Sequence, residues 1–164
     1  MTEPLNLFDP QEAPLHDWSC VNDGVMGGVS QSKVAIDEQQ HLQWYGQVSL
    51  ERNGGFASVR HQFSGFDLQQ FRGLCLLLKG DNKTYKLNIA NTLTSSSPRF
   101  QARFQARDAL HLIYIPFACL RASIRGNQVS AAFNPGDVRQ LGFLIADKQE
   151  GPFHLTVQRI SAYA

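Results

Sequence analysis

The stretch DGVMGGVS at residues 23–30 decides how the rest of the chain is interpreted. Three of its eight residues are glycine, and an alternating segment at residues 30–36 follows directly. A second glycine pair, Gly54 and Gly55, precedes Phe56 and another alternating run. Glycine reaches backbone angles that a Cβ forbids, so turns of this kind determine where strands begin and how they are aimed. The two stretches together predict a β-protein.

Bulk composition narrows the class of protein. The chain has 164 residues, of which 43% are hydrophobic and 18% are charged, as is ordinary for a single globular domain. Its net charge of +1 provides no field that would attract nucleic acid or an anionic membrane. The longest apolar run, residues 74–78, is too short to cross a bilayer, and the N-terminus does not resemble a secretory signal.

The cysteines indicate a reducing compartment. Cys20, Cys75 and Cys119 are odd in number and far apart in sequence, so we interpret them as reduced thiols. We therefore expect a cytoplasmic protein that needs no cofactor.

Alternation of apolar and polar residues predicts most of the strands. Segment 42–50 is a strong example, and Gly46 within it marks a bulge or a close backbone approach. In segment 100–107 a period of two groups the phenylalanines and alanines on one side and the glutamines and arginines on the other. A helical face would mix Phe100 and Phe104 with arginines, so a strand is favoured although Ala, Gln and Arg prefer helices.

Residues 74–78 are apolar on both sides, which is typical of a strand in the middle of a packed sheet. The turn-rich residues 80–83 and an alternating segment at 85–90 follow, so we expect a hairpin from 74 to 90. Residues 117–134 look irregular. About nine or ten strands at this spacing predict an all-β sandwich or barrel, with two sheets around an apolar interior as the better choice. We place this domain at residues 17–164, after an N-terminal arm at 1–16.

Familiar catalytic and metal-binding patterns do not occur. The first glycine stretch lacks the lysine and the following helix of a phosphate loop, so a structural turn is favoured. No histidine or cysteine pair has ligand spacing, and no nucleophile elbow is present. Loop carboxylates such as Asp17, Asp23 or Asp147 could hold calcium, but they form no calcium-loop pattern. We therefore assign no catalytic residue and no metal ligand.

The polar side of segment 100–107 is the one candidate surface within a strand. Arg103 and Gln105, with Tyr85 nearby in the preceding strand, could bind a sugar or the carboxylates of a protein partner, because arginine offers a planar fork of donors. The alternative is that this side is the solvated face of an antiparallel sheet.

Several motifs, taken in order, resemble the complex I intermediate-associated protein 30 family. The two specific blocks are VNDGVMGGVS at 21–30 and NGGFASVR at 53–60, preceded by Trp18. Weaker matches follow at GD 80–81, YKL 85–87, IPF 115–117, LGFLI 141–145 and GPFHL 151–155. The resemblance extends over nearly all of the chain from residue 18 to residue 160.

This resemblance implies a galactose-binding-domain-like jelly roll and a non-enzymatic role. Mitochondrial members act as chaperones in building respiratory complex I, and related jelly rolls include carbohydrate-binding modules. The chain departs from the family where a Gly-Asp-Gly turn reads Gly80-Asp81-Asn82 and where an aromatic position falls in the region 110–112. It also shows no mitochondrial targeting segment.

Two functions follow as alternatives. The first is a binding or assembly protein that holds a protein partner at its loop edge, possible partners being respiratory complex I subunits or assembly intermediates; the second is a sugar-binding module. The candidate partner- or ligand-binding residues are Asp23, Met26, Gly27, Gly28, Asn53, Gly54, Gly55, Phe56, Tyr85, Arg103 and Gln105.

Overall fold

Thirteen strands make up the described part of the chain. The structure is a computed structural model, and it describes residues 3–8, 18–22, 30–51, 55–94 and 96–164. The strands are β1 (Leu5–Phe8), β2 (Trp18–Asn22), β3 (Gln31–Ile36), β4 (Leu42–Val48), β5 (Ala57–Phe66), β6 (Gly73–Lys79), β7 (Thr84–Ala90), β8 (Arg99–Gln105), β9 (His111–Pro116), β10 (Arg121–Ile124), β11 (Asn127–Gln128), β12 (Val138–Ile145) and β13 (Gly151–Tyr163). A 3₁₀ turn, Phe117–Cys119, connects β9 to β10. The described residues contain no helix with the length and apolar character that crossing a lipid bilayer requires.

These strands form two antiparallel sheets. The six-stranded sheet has the order β3-β4-β13-β6-β9, and β1 also pairs with β13. The long strand β13 accommodates both neighbours on one edge because β4 pairs with residues 151–157 and β1 with residues 160–162. The seven-stranded sheet has the order β11-β10-β8-β7-β12-β5-β2. The all-β jelly-roll sandwich expected from the sequence is therefore confirmed.

The apolar interior lies between the two sheets. Trp44 from the six-stranded sheet and Tyr85 from the seven-stranded sheet are both completely buried, with ring centroids 6.1 Å apart. Phe153 packs edge-on against Trp44 at 4.8 Å. Burying a large apolar side chain stabilises the folded state by about 1.5–3 kcal/mol, so rings contributed by both sheets hold the sandwich closed.

Alternation predicted the strands well. Within β8, Phe100 and Phe104 are buried while Arg103 and Gln105 are exposed, so the strand assignment of this ambiguous segment is confirmed. A Cβ on Gly46 would lie 2.0 Å from the carbonyl oxygen of Gln31 in the neighbouring strand. Gly46 therefore marks a close backbone approach.

The hairpin expected at residues 74–90 is wrong. Strand β6 lies between β13 and β9 in one sheet, whereas β7 lies between β8 and β12 in the other. Both edges of β6 are thus occupied by strands distant in sequence, and the turn after Gly80 carries the chain across the sandwich. The backbone of this turn bonds to the residues that follow β8: the Gly80 amide donates to the Arg107 carbonyl at 2.7 Å.

One further segment differs from expectation. Residues 117–134 contain the short strands β10 and β11, which extend the seven-stranded sheet beyond β8. The turn that follows β5 is closed by a hydrogen bond from the Phe71 amide to the Leu68 carbonyl. Strand β1 contributes Phe8 to the core, where it is 1% exposed. The division of the chain at residue 17 stays a prediction.

Candidate functional site

The outer side of the seven-stranded sheet is mostly polar. Alternation along each strand turns the large apolar residues to the core, so their neighbours point away from it. We call this outer surface the polar face. It is built from Ser58, Arg60 and Gln62 of β5, Thr84, Lys86 and Asn88 of β7, Arg99, Gln101, Arg103 and Gln105 of β8, Arg121 and Ser123 of β10, and Gln140, Gly142 and Leu144 of β12.

The polar face carries a surplus of positive charge. Its five cationic side chains are Arg60, Lys86, Arg99, Arg103 and Arg121. Among the described residues one carboxylate, that of Asp147, pairs with them, and it lies 3.2 Å from Arg103 and 3.6 Å from Lys86. A chain with a net charge of only +1 thus concentrates cations on one surface.

A groove runs along the edge of this face beside β8 and β10. Its volume is about 390 Å³. Lys86, Gln101, Arg103, Arg121, Ser123 and Gln128 are among the residues that line it. The groove therefore presents hydrogen-bond donors of arginine, lysine and amide side chains.

The loop edge predicted from the glycine blocks is described only in part. Asp23, Met26, Gly27, Gly28, Asn53 and Gly54 lie outside the described residues. Gly55 and Phe56 are half-buried and lead directly into β5. Gly55 has φ +128°, a backbone conformation that residues with a Cβ rarely adopt.

Described parts of both predicted sites lie at the same end of the seven-stranded sheet. Ala57 begins β5 and pairs with Ile145, the last residue of β12. Leu144, the residue before Ile145, pairs with Lys86 of β7, and Lys86 in turn pairs with Arg103 of β8. The strands β5 and β8 are three strand spacings apart, or roughly 14 Å. Phe56 and Arg103 therefore lie near one rim of the sandwich.

The side chain of Tyr85 points into the core and not to the polar face. Its ring is completely buried and stacks on Phe104, with centroids 6.1 Å apart. Its hydroxyl donates to a carboxylate oxygen of Asp81 at 2.9 Å, and the second oxygen of Asp81 accepts from the His154 amide at 3.0 Å. Burial, followed by the negative charge of Asp81, raises the pKa of the Tyr85 phenol. Tyr85 thus belongs to the core, on the opposite side of its strand from Arg103 and Gln105.

The structure reveals two arginines that sequence reasoning did not select. Arg60 and Arg99 both lie on the polar face, in strands separated by β12 and β7. Burial lowers the pKa of each guanidinium, and the charge of Arg60 lowers the pKa of Arg99 further. Alternation alone could have assigned both residues to an outer face, but only the strand order places them on the same sheet.

Other chemistry finds little support in the described ranges. There, no three His, Cys, Asp or Glu side chains come together as a metal site. Asp147, considered above for calcium, is instead engaged by two cations. Cys20, Cys75 and Cys119 are free thiols.

Two antiparallel sheets packed face to face define a jelly-roll β-sandwich. Solved carbohydrate-binding modules share this fold. The family 11 module of the cellulosomal cellulase Lic26A-Cel5E of Clostridium thermocellum superimposes with a TM-score of 0.74 at 14% identity, over 100% of this chain and 96% of the module. The family 30 module of the cellulosomal cellulase Cel9D-Cel44B of Clostridium thermocellum gives a TM-score of 0.71 at 13% identity, over 99% and 98%. At such identity the similarity establishes the fold alone.

Sequence comparison identifies the family of the chain. The model of the family of complex I intermediate-associated protein 30 matches residues 7–157, and the chain belongs to this family. No curated protein matches the chain by sequence.

Proposed function

We propose that this chain is a non-catalytic assembly protein that binds a protein partner with the polar face and the adjoining loop edge. Membership of the complex I intermediate-associated protein 30 family supports an assembly role. The partners that this membership suggests are subunits or assembly intermediates of respiratory complex I, met in a cytoplasm-like compartment. In this role the chain acts as a chaperone.

The observation that carries the proposal is the unbalanced charge of the polar face. Five cations share a single described carboxylate, that of Asp147. Arginine binds carboxylates through two parallel N–H donors, so this face suits an acidic protein surface. Complementary charge would also increase the rate of association and select against basic partners.

The loop edge supplies the apolar part of the proposed surface. Phe56 is half-buried and lies at the rim near Arg103. Met26 belongs to the first glycine stretch, residues 23–30. Interfaces derive most of their energy from a few large apolar or arginine side chains surrounded by polar groups. Phe56, Met26 and Arg103 are the side chains that we expect to fill this role.

Co-purification from the source organism tests this function. Tagged wild-type chain is compared with Arg103→Glu, Met26→Asp and the control Arg72→Glu, which changes charge at an exposed residue before β6 of the other sheet. We expect wild type and the control to co-purify with the same proteins, and the two test variants to lose these proteins. Identical sets of captured proteins from all four chains would contradict the proposed surface.

A sugar-binding function is the second candidate. It is favoured by the groove of about 390 Å³ and by the fold shared with a family 11 module solved in complex with a mixed-linked tetrasaccharide, which has a TM-score of 0.75 at 13% identity over 100% of this chain and 98% of the module. Against it, the polar face as defined here has no aromatic ring on which the apolar side of a neutral sugar could pack. A glycan array probed with wild type and Arg121→Ala tests this function. We expect a sugar-binding chain to bind in the wild-type form and to bind more weakly as Arg121→Ala, and the absence of binding at millimolar sugar would contradict a sugar-binding function.

A further inference from the structure

Arg60 and Arg99 both lie on the polar face, and neither has a carboxylate partner among the described residues. Within the described ranges Arg99 donates to two backbone carbonyls, those of Thr94 at 3.3 Å and Ser97 at 3.4 Å. No described carboxylate lies within ion-pair distance of either guanidinium, although Arg103 and Arg139 on the same sheet each have an aspartate at 3.2 Å or less. Both arginines are half-buried, so solvent screens their repulsion incompletely.

The surface between the two arginines is made of small residues and amides. Along the register, Arg60 is followed by Gly142 and Asn88 on neighbouring strands. In the adjacent row Gln140 is followed by Ala90, which precedes Asn91 at the end of β7. Gly142 and Ala90 are buried and have little or no side chain, so the floor between the arginines is low.

Two amides lie on this floor. Gln140 is 4% exposed and lies on the outer side of β12. Asn88 is half-buried on the outer side of β7. Each of these side chains carries an NH₂ group, which is a donor that a carboxylate can accept.

We propose that Arg60, Arg99, Asn88 and Gln140 form a binding site for a carboxylate. A carboxylate between the guanidiniums would accept N–H donors from both, neutralise their mutual repulsion and accept from the NH₂ groups of the amides. The carboxylate is supplied by an acidic side chain of the protein partner, and this source rests on the proposed function. In the test, succinate stands for a free carboxylate, and a triglutamate peptide stands for acidic side chains of a protein.

The experiment is calorimetric titration of the full chain at constant ionic strength with sodium succinate, triglutamate peptide, inorganic phosphate and neutral succinamide. Wild type is compared with Arg60→Gln and Arg99→Gln, and with Arg72→Gln as a control that removes one positive charge elsewhere. We expect saturable succinate binding in wild type and in the control, at least tenfold weaker binding in both test variants, and no binding of succinamide. Triglutamate should bind more tightly than succinate.

Three results would overturn the site: no saturation with either carboxylate, equal affinity in wild type and Arg60→Gln, or phosphate binding at least tenfold tighter than succinate binding. Should a variant fail to fold, wild type alone decides, because the Nε–Hε resonances of Arg60 and Arg99 must shift with succinate and not with succinamide. Equal affinity for succinate and triglutamate would assign the site to a free dicarboxylate and overturn its protein source.

The outcome is separable from that of the proposed function. A chain that binds succinate but captures no partner keeps the carboxylate site and overturns the assembly role. Conversely, a captured partner that is retained fully by Arg60→Gln and Arg99→Gln overturns the site and keeps the assembly role.

Discussion

Tyr85 and Arg103 lie on adjacent paired strands, yet their side chains point to opposite sides of the sheet. Lys86 is the register partner of Arg103, and Tyr85 is the partner of Phe104. A shift of one residue along a strand exchanges the core for the solvent, so closeness in sequence or across a strand pair does not place two side chains on one surface. The candidate site therefore includes Arg103 and Gln105 but draws its other members from Lys86 and Asn88.

The buried phenol of Tyr85 makes stability depend on alkaline pH. Its ordinary pKa is 10.0, and burial raises the pKa in the folded state. Below pH about 10 both states keep the proton and the stabilisation is complete; above it the unfolded chain releases the proton first, so the free energy of unfolding falls. In Tyr85→Phe this fall should be shallower than in wild type by about 1.4 kcal/mol per pH unit.

Urea unfolding at pH 9, 10 and 11 measures this difference in slope. At pH 8 the same variant should be destabilised by about 1–3 kcal/mol, because half-buried Asp81 loses the Tyr85 hydroxyl as a donor. Tyr45→Phe, at a ring that is 40% exposed, is the matched control. Parallel pH dependences for wild type and Tyr85→Phe would contradict the assignment.

Gly55 tests whether a glycine of the second block is structural. With φ +128° an alanine is strained, and its Cβ would lie 3.3 Å from Cδ2 of Leu50. We expect Gly55→Ala to reduce the free energy of unfolding by about 1 kcal/mol or more. Gly126→Ala, at φ +82° with open space around it, should cost less. An unchanged melting temperature with loss of partner binding would show that Gly55 serves the interface instead.

Among the elements, β1 is the least expected. It is four residues long and lies within the segment predicted as an arm, yet it pairs with β13 in the middle of a sheet. Phe8 packs edge-on against Trp18 of the opposite sheet, with centroids 5.0 Å apart. A short strand can thus join the two sheets through a single buried ring.

Truncating that ring should destabilise the whole sandwich. We expect Phe8→Ala to cost about 3–5 kcal/mol, because the lost burial leaves a cavity between the sheets. Asn6→Ala, an exposed position on the same strand, should change stability by no more than about 0.5 kcal/mol. Equal unfolding midpoints in urea for these two variants would show that β1 does not support the core.

At the scale of the whole molecule, pairing joins segments that are far apart in sequence. β1 pairs with β13, and β5 pairs with β12. Each such contact requires closure of a long loop before it stabilises the fold, so folding should be slow and should involve both sheets together. Since the sheets share one core, neither is expected to persist without the other.

Two tryptophans report this cooperativity. Trp18 belongs to the seven-stranded sheet and Trp44 to the six-stranded sheet. In Trp18→Phe the fluorescence follows Trp44, and in Trp44→Phe it follows Trp18. Within each variant the fluorescence transition in urea should coincide with the far-ultraviolet circular dichroism transition. Separate midpoints within one variant would indicate that the sheets unfold independently.

The strands and their faces could be predicted because a period of two is a local property. Segment 100–107 was correctly assigned to a strand against its helix propensity, since Phe100 and Phe104 needed a common buried side. The strands β10 and β11 were missed because segments of four and two residues are too short to show a period. The hairpin at 74–90 failed because a glycine-containing turn shows that the chain reverses but not which sheet it enters.

The amino-acid sequence by itself determined an all-β chain, the inward and outward side of its longer strands, and the family to which it belongs, because each depends on residues close together along the chain. Only the tertiary structure decided which strands are neighbours, since hydrogen bonds between strands do not depend on separation in sequence. The carboxylate site proposed at Arg60 and Arg99 belongs to that second kind: β12 and β7 must lie between their strands before the two charges share one surface.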